Sequence, residues 1–353
     1  MNPVLVSVLL LALAVFVVSE CGTKAIIFNF GDSNSDTGGY SAGLGFNTPL
    51  PIGRLFPHQP SGRLCDGRLV IDFLCEYLNI SYLSPYLESL GSDFKHGANF
   101  AISGAATQAY ATNPFSLPVQ VLQFLRFKSR SLHLLAQGSK DLINEDGFMN
   151  ALYTIDIGQN DLYGAFASNF SDRINITVNE IKNAIQTIYD HGGKNFWVHN
   201  TGPFGCLPER VSLMKKNNSD LDAYGCLITL NNGAKELNFK LSAVCDELNS
   251  ELENATVVYT DIYSVKYDLI ANSSNYGFES PLMACCGFGG PPYNFNMSIR
   301  CGSTRSQACS INSKYISWDG VHYTEAANAM VASKILSTEY SKPRIKFDYF
   351  CSA

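Results

Sequence analysis

The chain has 353 residues, 46% of them apolar and 16% charged, with a formal net charge of −6. This composition is globular, able to bury roughly three quarters of the unfolded surface, and too apolar and aromatic for disorder. Twenty-five basic against 31 acidic residues leave no surplus for a phosphate backbone, which excludes a dedicated nucleic-acid binder.

Val4 to Val18 is a 15-residue apolar run broken only by Ser7. It is shorter than a membrane span of about 20 residues and suits the core of a signal peptide, with cleavage expected after Ser19. An uncleaved anchor is the alternative, and no later segment approaches the length of an integral membrane helix. Residues 20–353 are expected to form one domain, since no repeat, charge block or Pro/Ser-rich linker divides them.

Lys24–Phe30 reads as a buried strand that ends in Gly31-Asp32-Ser33. Similar runs recur at Ala151–Ile157, before Gly158-Gln159-Asn160-Asp161, at Lys194–Val198, before Asn200-Thr201-Gly202-Pro203, and at Thr256–Ile262. Between and after them, Val119–Leu135, Val178–Tyr189, Asp222–Leu252 and Glu325–Ser337 carry apolar residues at helical spacing. Strands alternating with helices predict a parallel sheet covered on both faces, with ligands bound outside the carboxyl ends of the strands.

The 11 cysteines and seven N-x-[ST] sequons, at Asn79, Asn169, Asn175, Asn217, Asn254, Asn272 and Asn296, both fit a secreted glycoprotein. Glycans would supply the surface polarity that the low charge content leaves short. Cys206 and Cys226 bracket a polar loop, and Cys285, Cys286, Cys301 and Cys309 cluster within 25 residues. Zinc is the rival reading of that quartet, but its Cys-Cys start lacks the C-x₂-C geometry of zinc knuckles, so disulfides are expected. The odd count leaves at least one thiol unpaired within the chain. Spacing alone does not assign the pairs.

Six histidines are scattered without a metal-binding spacing, and no phosphate-binding or dinucleotide-binding glycine loop is present, so no metal or cofactor is expected. Serine chemistry has better support. Gly39-Tyr40-Ser41-Ala42-Gly43 matches G-x-S-x-G, but that motif needs a strand running straight into it, and here polar turn residues precede it. Ser33 has the right context at a strand end, although an ordinary turn would look the same. A serine needs a base and the base an orienting carboxylate, and two Asp-x-x-His pairs exist, Asp93–His96 and Asp319–His322. Spacing does not choose between them. Gly320 and a helix start at Thr324 favour the second as a loop that presents two side chains. Asn160 and the backbone near Gly104 are candidate donors to an oxyanion, with an Asx turn and a tight turn as their structural alternatives.

Gly31-Asp32-Ser33-Asn34-Ser35-Asp36-Thr37-Gly38, Gly97-Ala98-Asn99-Phe100-Ala101 with Gly104, Gly158-Gln159-Asn160-Asp161 and Trp318-Asp319-Gly320-Val321-His322 stand in this order. Together they resemble the four blocks of the GDSL esterase/lipase family, the SGNH hydrolases, and in particular its plant secreted branch. The resemblance runs from about Ala25 to Ser341. It implies a flavodoxin-like three-layer α/β/α sandwich with a central parallel sheet. It also implies Ser33 as nucleophile, His322 as general base and Asp319 as its orienting carboxylate, with the Ser33 and Gly104 N–H groups and the Asn160 amide as oxyanion donors. Cys65 stands where such proteins usually carry serine, and a bridge to Cys75 is left open.

The expected function is therefore a secreted serine esterase or lipase that cleaves acyl esters of small molecules or glycans through an acyl-enzyme. No cofactor and no obligate protein partner are expected. An acyltransferase would share the acyl-enzyme, and an inactive carbohydrate-binding glycoprotein would keep the fold, although all five site positions are intact. "Lipase" in the family name does not establish a long acyl chain.

Overall fold

The computed structural model describes residues 21, 24–56 and 62–351, and the expected signal peptide lies outside them. The four apolar runs form strands, joined by a short one that carries no apolar run: β1 (Ile27–Gly31), β2 (Gly97–Asn99), β3 (Leu152–Asp156), β4 (Asn195–His199) and β5 (Thr256–Thr260). β6 (Cys286–Gly287) and β7 (Gln307–Ala308) pair separately, and β8 (Ser341–Lys342) closes the main sheet, whose order is β2-β1-β3-β4-β5-β8. The first five are parallel; β8 lies antiparallel on β5. This is the flavodoxin-like order with one antiparallel edge strand added, and its topological switch point falls between β1 and β3.

Both faces of the sheet are covered, which is why β1 reads as continuously buried. Phe28, Phe30, Tyr153 and Phe196 pack on one side with Phe124, Ile185 and Leu241 of the helices Leu117–Ala136, Phe170–Asp190 and Ile228–Glu251. Ile27, Leu152, Trp197 and Val258 pack on the other with Leu74, Val265 and Val331 of Val70–Tyr77, Ile262–Ala271 and Glu325–Leu336. The result is three layers. Fully buried side chains such as Phe28 and Phe30 contribute about 1.5–3 kcal/mol each.

Two helices depart from their expected bounds. Phe170–Asp190 begins two turns before Val178, because Phe170 and the buried Ile174 carry the i, i+4 spacing back through the exposed Ser171, Asp172 and Arg173. Ile228–Glu251 begins six residues after Asp222, whose carboxylate instead caps the N–H groups of Tyr224 and Cys226 in a turn. The Cys206–Cys226 bridge anchors that turn.

Candidate active site

Ser33 follows β1 directly, and three sets of contacts hold its loop. Asn29, Asn99 and Thr154 stand in register on β1, β2 and β3. Asn29 accepts from Thr154 Oγ1 (2.7 Å) and donates to Asn99 Oδ1 (2.8 Å), and Asn99 Nδ2 donates to the Ser35 carbonyl (2.6 Å) and Thr37 Oγ1 (3.0 Å). Gln120, from the covering helix, both accepts the Gly31 N–H and donates to its carbonyl, each at 2.9 Å. The buried Asp36 carboxylate accepts the N–H groups of Gly38, Gly39, Tyr40 and Ser103 and the Ser103 hydroxyl, which ties the Ser33 loop to the Gly104 loop.

His322 Nδ1 lies 2.7 Å from Asp319 Oδ2, while Asp319 Oδ1 accepts the backbone N–H groups of Val321 (2.9 Å) and His322 (2.8 Å). The turn needs Gly320 at φ 97°, a left-handed conformation that disfavours any side chain, and a Cβ there would meet the Phe295 ring at 2.5 Å. Behind it, the N–H groups of Cys285 and Cys286 donate to the carbonyls of Ser317 and Trp318, and the Cys285–Cys309 and Cys286–Cys301 bridges brace that strand. Thr324 Oγ1 accepts the Ala327 N–H and caps the following helix, as its position predicts. The other Asp-x-x-His pair, Asp93–His96, does not form: His96 Nδ1 contacts the Ala25 carbonyl and Asp93 Oδ1 accepts the Lys95 N–H.

Asn160 lies in the first turn of the helix Gln159–Phe166, beyond the end of β3. Its Nδ2 donates to the Ala105 carbonyl (2.9 Å) and faces Asp32 Oδ2 at 3.4 Å. Gly104 takes φ 76°, and its carbonyl accepts the Tyr110 hydroxyl. Ser33, Gly104, Asn160 and His322 line one cavity of about 690 Å³ at the switch point, with Asp319 behind His322.

The charges around this cavity are buried and opposed. Burial, and then the neighbouring Asp156 carboxylate, push the Asp32 carboxyl up to about 7. Burial works the same way on Asp156, but His199, with Nδ1 3.8 Å from Oδ2, and the buried Lys266 outweigh it and hold Asp156 below the usual carboxylate range. Burial favours neutral His322. Asp319, through charge and hydrogen bond, and then Asp32 and Glu209 overcome that and raise its pKa above 6.5.

The remaining sequence candidates fall as follows. Ser41 sits inside the short helix Gly39–Leu44, its hydroxyl buried and unpartnered, and not on a strand-to-helix elbow. Asn79, Asn169, Asn175, Asn217, Asn254 and Asn272 are exposed, while Asn296 is half-buried and accepts the Ser298 N–H. The late cysteines form disulfides, joined by Cys21–Cys351, and Cys65, Cys75 and Cys245 are free thiols, so Cys65 and Cys75 are not bridged. The polar row Asn29–Asn99–Thr154 and Gln120 were missed from sequence. Their signal was a polar residue interrupting an otherwise apolar run.

A serine, and a histidine held by a carboxylate, at the carboxyl ends of a parallel sheet covered on both faces define the class as a three-layer α/β/α hydrolase. The model of the GDSL-like lipase/acylhydrolase family matches residues 27–335, from β1 into the last long helix. A GDSL esterase/lipase of Arabidopsis thaliana is 53% identical over 353 residues, covering 98% of this chain and 95% of its own. A second from the same plant, LIP-4, is 54% identical over 343 residues, covering 94% and 91%. The chain belongs to the GDSL esterase/lipase family and is a carboxylic ester hydrolase. Arabidopsis thaliana alpha-L-fucosidase 3 is also similar, at 43% identity over 364 residues, covering 95% of this chain and 97% of its own.

Proposed function

We propose that this hydrolase works through a Ser33–His322–Asp319 triad and an acyl-enzyme. Ser33 Oγ attacks the acyl carbonyl as His322 takes its proton, and Asp319 holds the imidazole with Nδ1–H toward itself. The Ser33 and Gly104 N–H groups and the Asn160 amide receive the oxyanion. His322 then returns the proton to the leaving alcohol, and a water it deprotonates releases the acid. The observation that carries this reading is the 2.7 Å His322–Asp319 contact, with His322 and Ser33 on the wall of one cavity.

A glycosidase, as one relative's name has it, would need two carboxylates free to act across the substrate. The cavity's own carboxylates weigh against that: Asp161 is bonded to the Thr107 hydroxyl and N–H, and Glu209 accepts the Tyr163 hydroxyl. We further propose that residues 1–19 are a signal peptide and that the single domain 20–353 is secreted. Four disulfides and six exposed sequons support that compartment.

The test is hydrolysis of p-nitrophenyl esters from acetate to palmitate, and of p-nitrophenyl α-L-fucoside, by the protein and its Ser33→Ala variant. Ester cleavage lost with the serine hydroxyl, and no fucoside cleavage, are expected. Equal ester rates in the two proteins would remove Ser33 from the mechanism. The longest ester turned over reports the depth of the acyl site.

A further inference from the structure

Three arginines line the cavity: Arg173 in the first turn of Phe170–Asp190, Arg210 in the helix Pro208–Met214, and Arg300 beside the bridged Cys301. They gather in a chain whose net charge is −6, so the local positive charge does not come from a generally basic surface. The carboxylates on the same wall are already engaged. Asp161 is bonded to Thr107 and Thr177, and Glu209 holds Tyr163 and lies 3.2 Å from Arg210. Arg210 also stacks over the Tyr163 ring at 4.2 Å, and so is fixed within the protein.

Arg173 and Arg300 differ from it. Both are exposed. Arg173 donates one hydrogen bond, to Gln108 Oε1 at 3.1 Å, and Arg300 reaches only Met297 Sδ at 3.5 Å. Among the described residues neither forms an ion pair. The acidic neighbour Asp172 is bonded instead to Asn169 Nδ2 at 2.6 Å. Two guanidinium groups with most of their five donors unspent thus stand on the wall that holds Ser33 and His322. Their planar fork matches the paired oxygens of a carboxylate or phosphate.

We propose that the cavity selects esters carrying an anionic group, carboxylate or phosphate, on the alcohol portion, with Arg173 and Arg300 as the groups that bind it. This rests on the assignment of Ser33 and His322 above. It implies that the physiological ester is an acidic molecule. It also implies that neutral aryl esters report the chemistry without the recognition.

The test compares acetate release from ω-acetoxyalkanoates of about four to ten carbons with release from the corresponding neutral amides and from ω-acetoxyalkyl phosphates. The reacting acetyl group is the same in all three. The expected result at low ionic strength is a kcat/KM about tenfold higher for an anionic series than for the amides, which shrinks as salt screens it. The preferred series identifies the anion. The preference should be lost in Arg173→Gln/Arg300→Gln and survive in Arg173→Lys/Arg300→Lys, whereas a structural role would lower all three series together. Equal rates for anions and amides, or a preference unchanged in the glutamine variant, would overturn the inference and leave the triad standing. No acetate release from any series, together with inert p-nitrophenyl acetate, would overturn the triad itself.

Discussion

His322 is poised by opposing effects. Burial favours its neutral form, and Asp319 at 2.7 Å, then Asp32 and Glu209, favour the charged one and win. A general base acts only when neutral, so kcat/KM should rise with pH along a limb centred above 6.5, higher than an unshifted histidine would place it. Asp319→Asn should cost about 10⁴ in kcat and move that limb down, because it removes both the charge and the tautomer control. Asp32→Asn should also lower the limb, by less, since Asp32 acts by charge without a hydrogen bond to the ring. A pH–rate profile of the three proteins decides, and an unmoved limb in Asp319→Asn would break the assignment. Asn160→Ala should cost about 10²–10³ in kcat if its amide receives the oxyanion. Wild-type turnover in that variant would mean that the amide serves only the Ala105 carbonyl.

At the level of elements, the loop that carries Ser33 is held by a buried ion pair outside the sheet. Arg63 meets Asp72 through Nε (2.8 Å) and Nη2 (2.7 Å), lies over Phe56, and donates from Nη1 to the Thr37 carbonyl at 3.3 Å. Asp72 also caps Val70–Tyr77 by accepting the Leu69 N–H. Arg63→Met leaves a buried carboxylate unpaired and should cost about 3–5 kcal/mol in denaturant unfolding, whereas Arg63→Met with Asp72→Leu should recover most of it. Full cost in the double variant would mean that the Thr37 and Leu69 bonds, and not the pair, hold the loop. None of this was legible in the sequence, where Arg63 lies in a glycine-containing polar segment and Asp72, nine residues on, interrupts the apolar run Leu69–Cys75 with nothing to name its partner. The long strands and helices were legible because each carries its own apolar period. β2, with three residues, and β8, with two, were not, because they exist only through pairing with distant strands. Part of the candidate site was legible for a related reason: Ser33 and Asn160 follow strands whose apolar runs are visible, and Asp319 and His322 are three residues apart. Spacing left His96 as a rival to His322, Gly320 and the helix start at Thr324 favoured His322, and the fold turns the His96 ring onto the Ala25 carbonyl.

At the scale of the molecule, the bridge between the chain's ends and the candidate site occupy opposite ends of the sheet. Cys21–Cys351 joins residues 330 apart, just before β1 and after β8, whereas Ser33, Asn160 and the His322 loop gather at the carboxyl ends of the parallel strands. A bridge across so long a loop restricts the unfolded chain far more than the folded one, and is worth about 3–5 kcal/mol on that account. Replacing both cysteines, Cys21→Ser with Cys351→Ser, should therefore lower unfolding stability by that amount and leave ester-hydrolysis kcat/KM at the wild-type value while the protein stays folded. The free thiols provide an independent check on the pairing. Cys65, Cys75 and Cys245 are buried, and burial raises the pKa of each, Cys245 to about 12, so a thiol reagent should find none in the native protein and three after denaturation. A count of one in denaturant would mean that Cys65 and Cys75 are bridged after all. A kcat loss in the folded Cys21/Cys351 variant would mean that the terminal tie reaches the Ser33 loop through β1, coupling the two ends that the fold keeps apart.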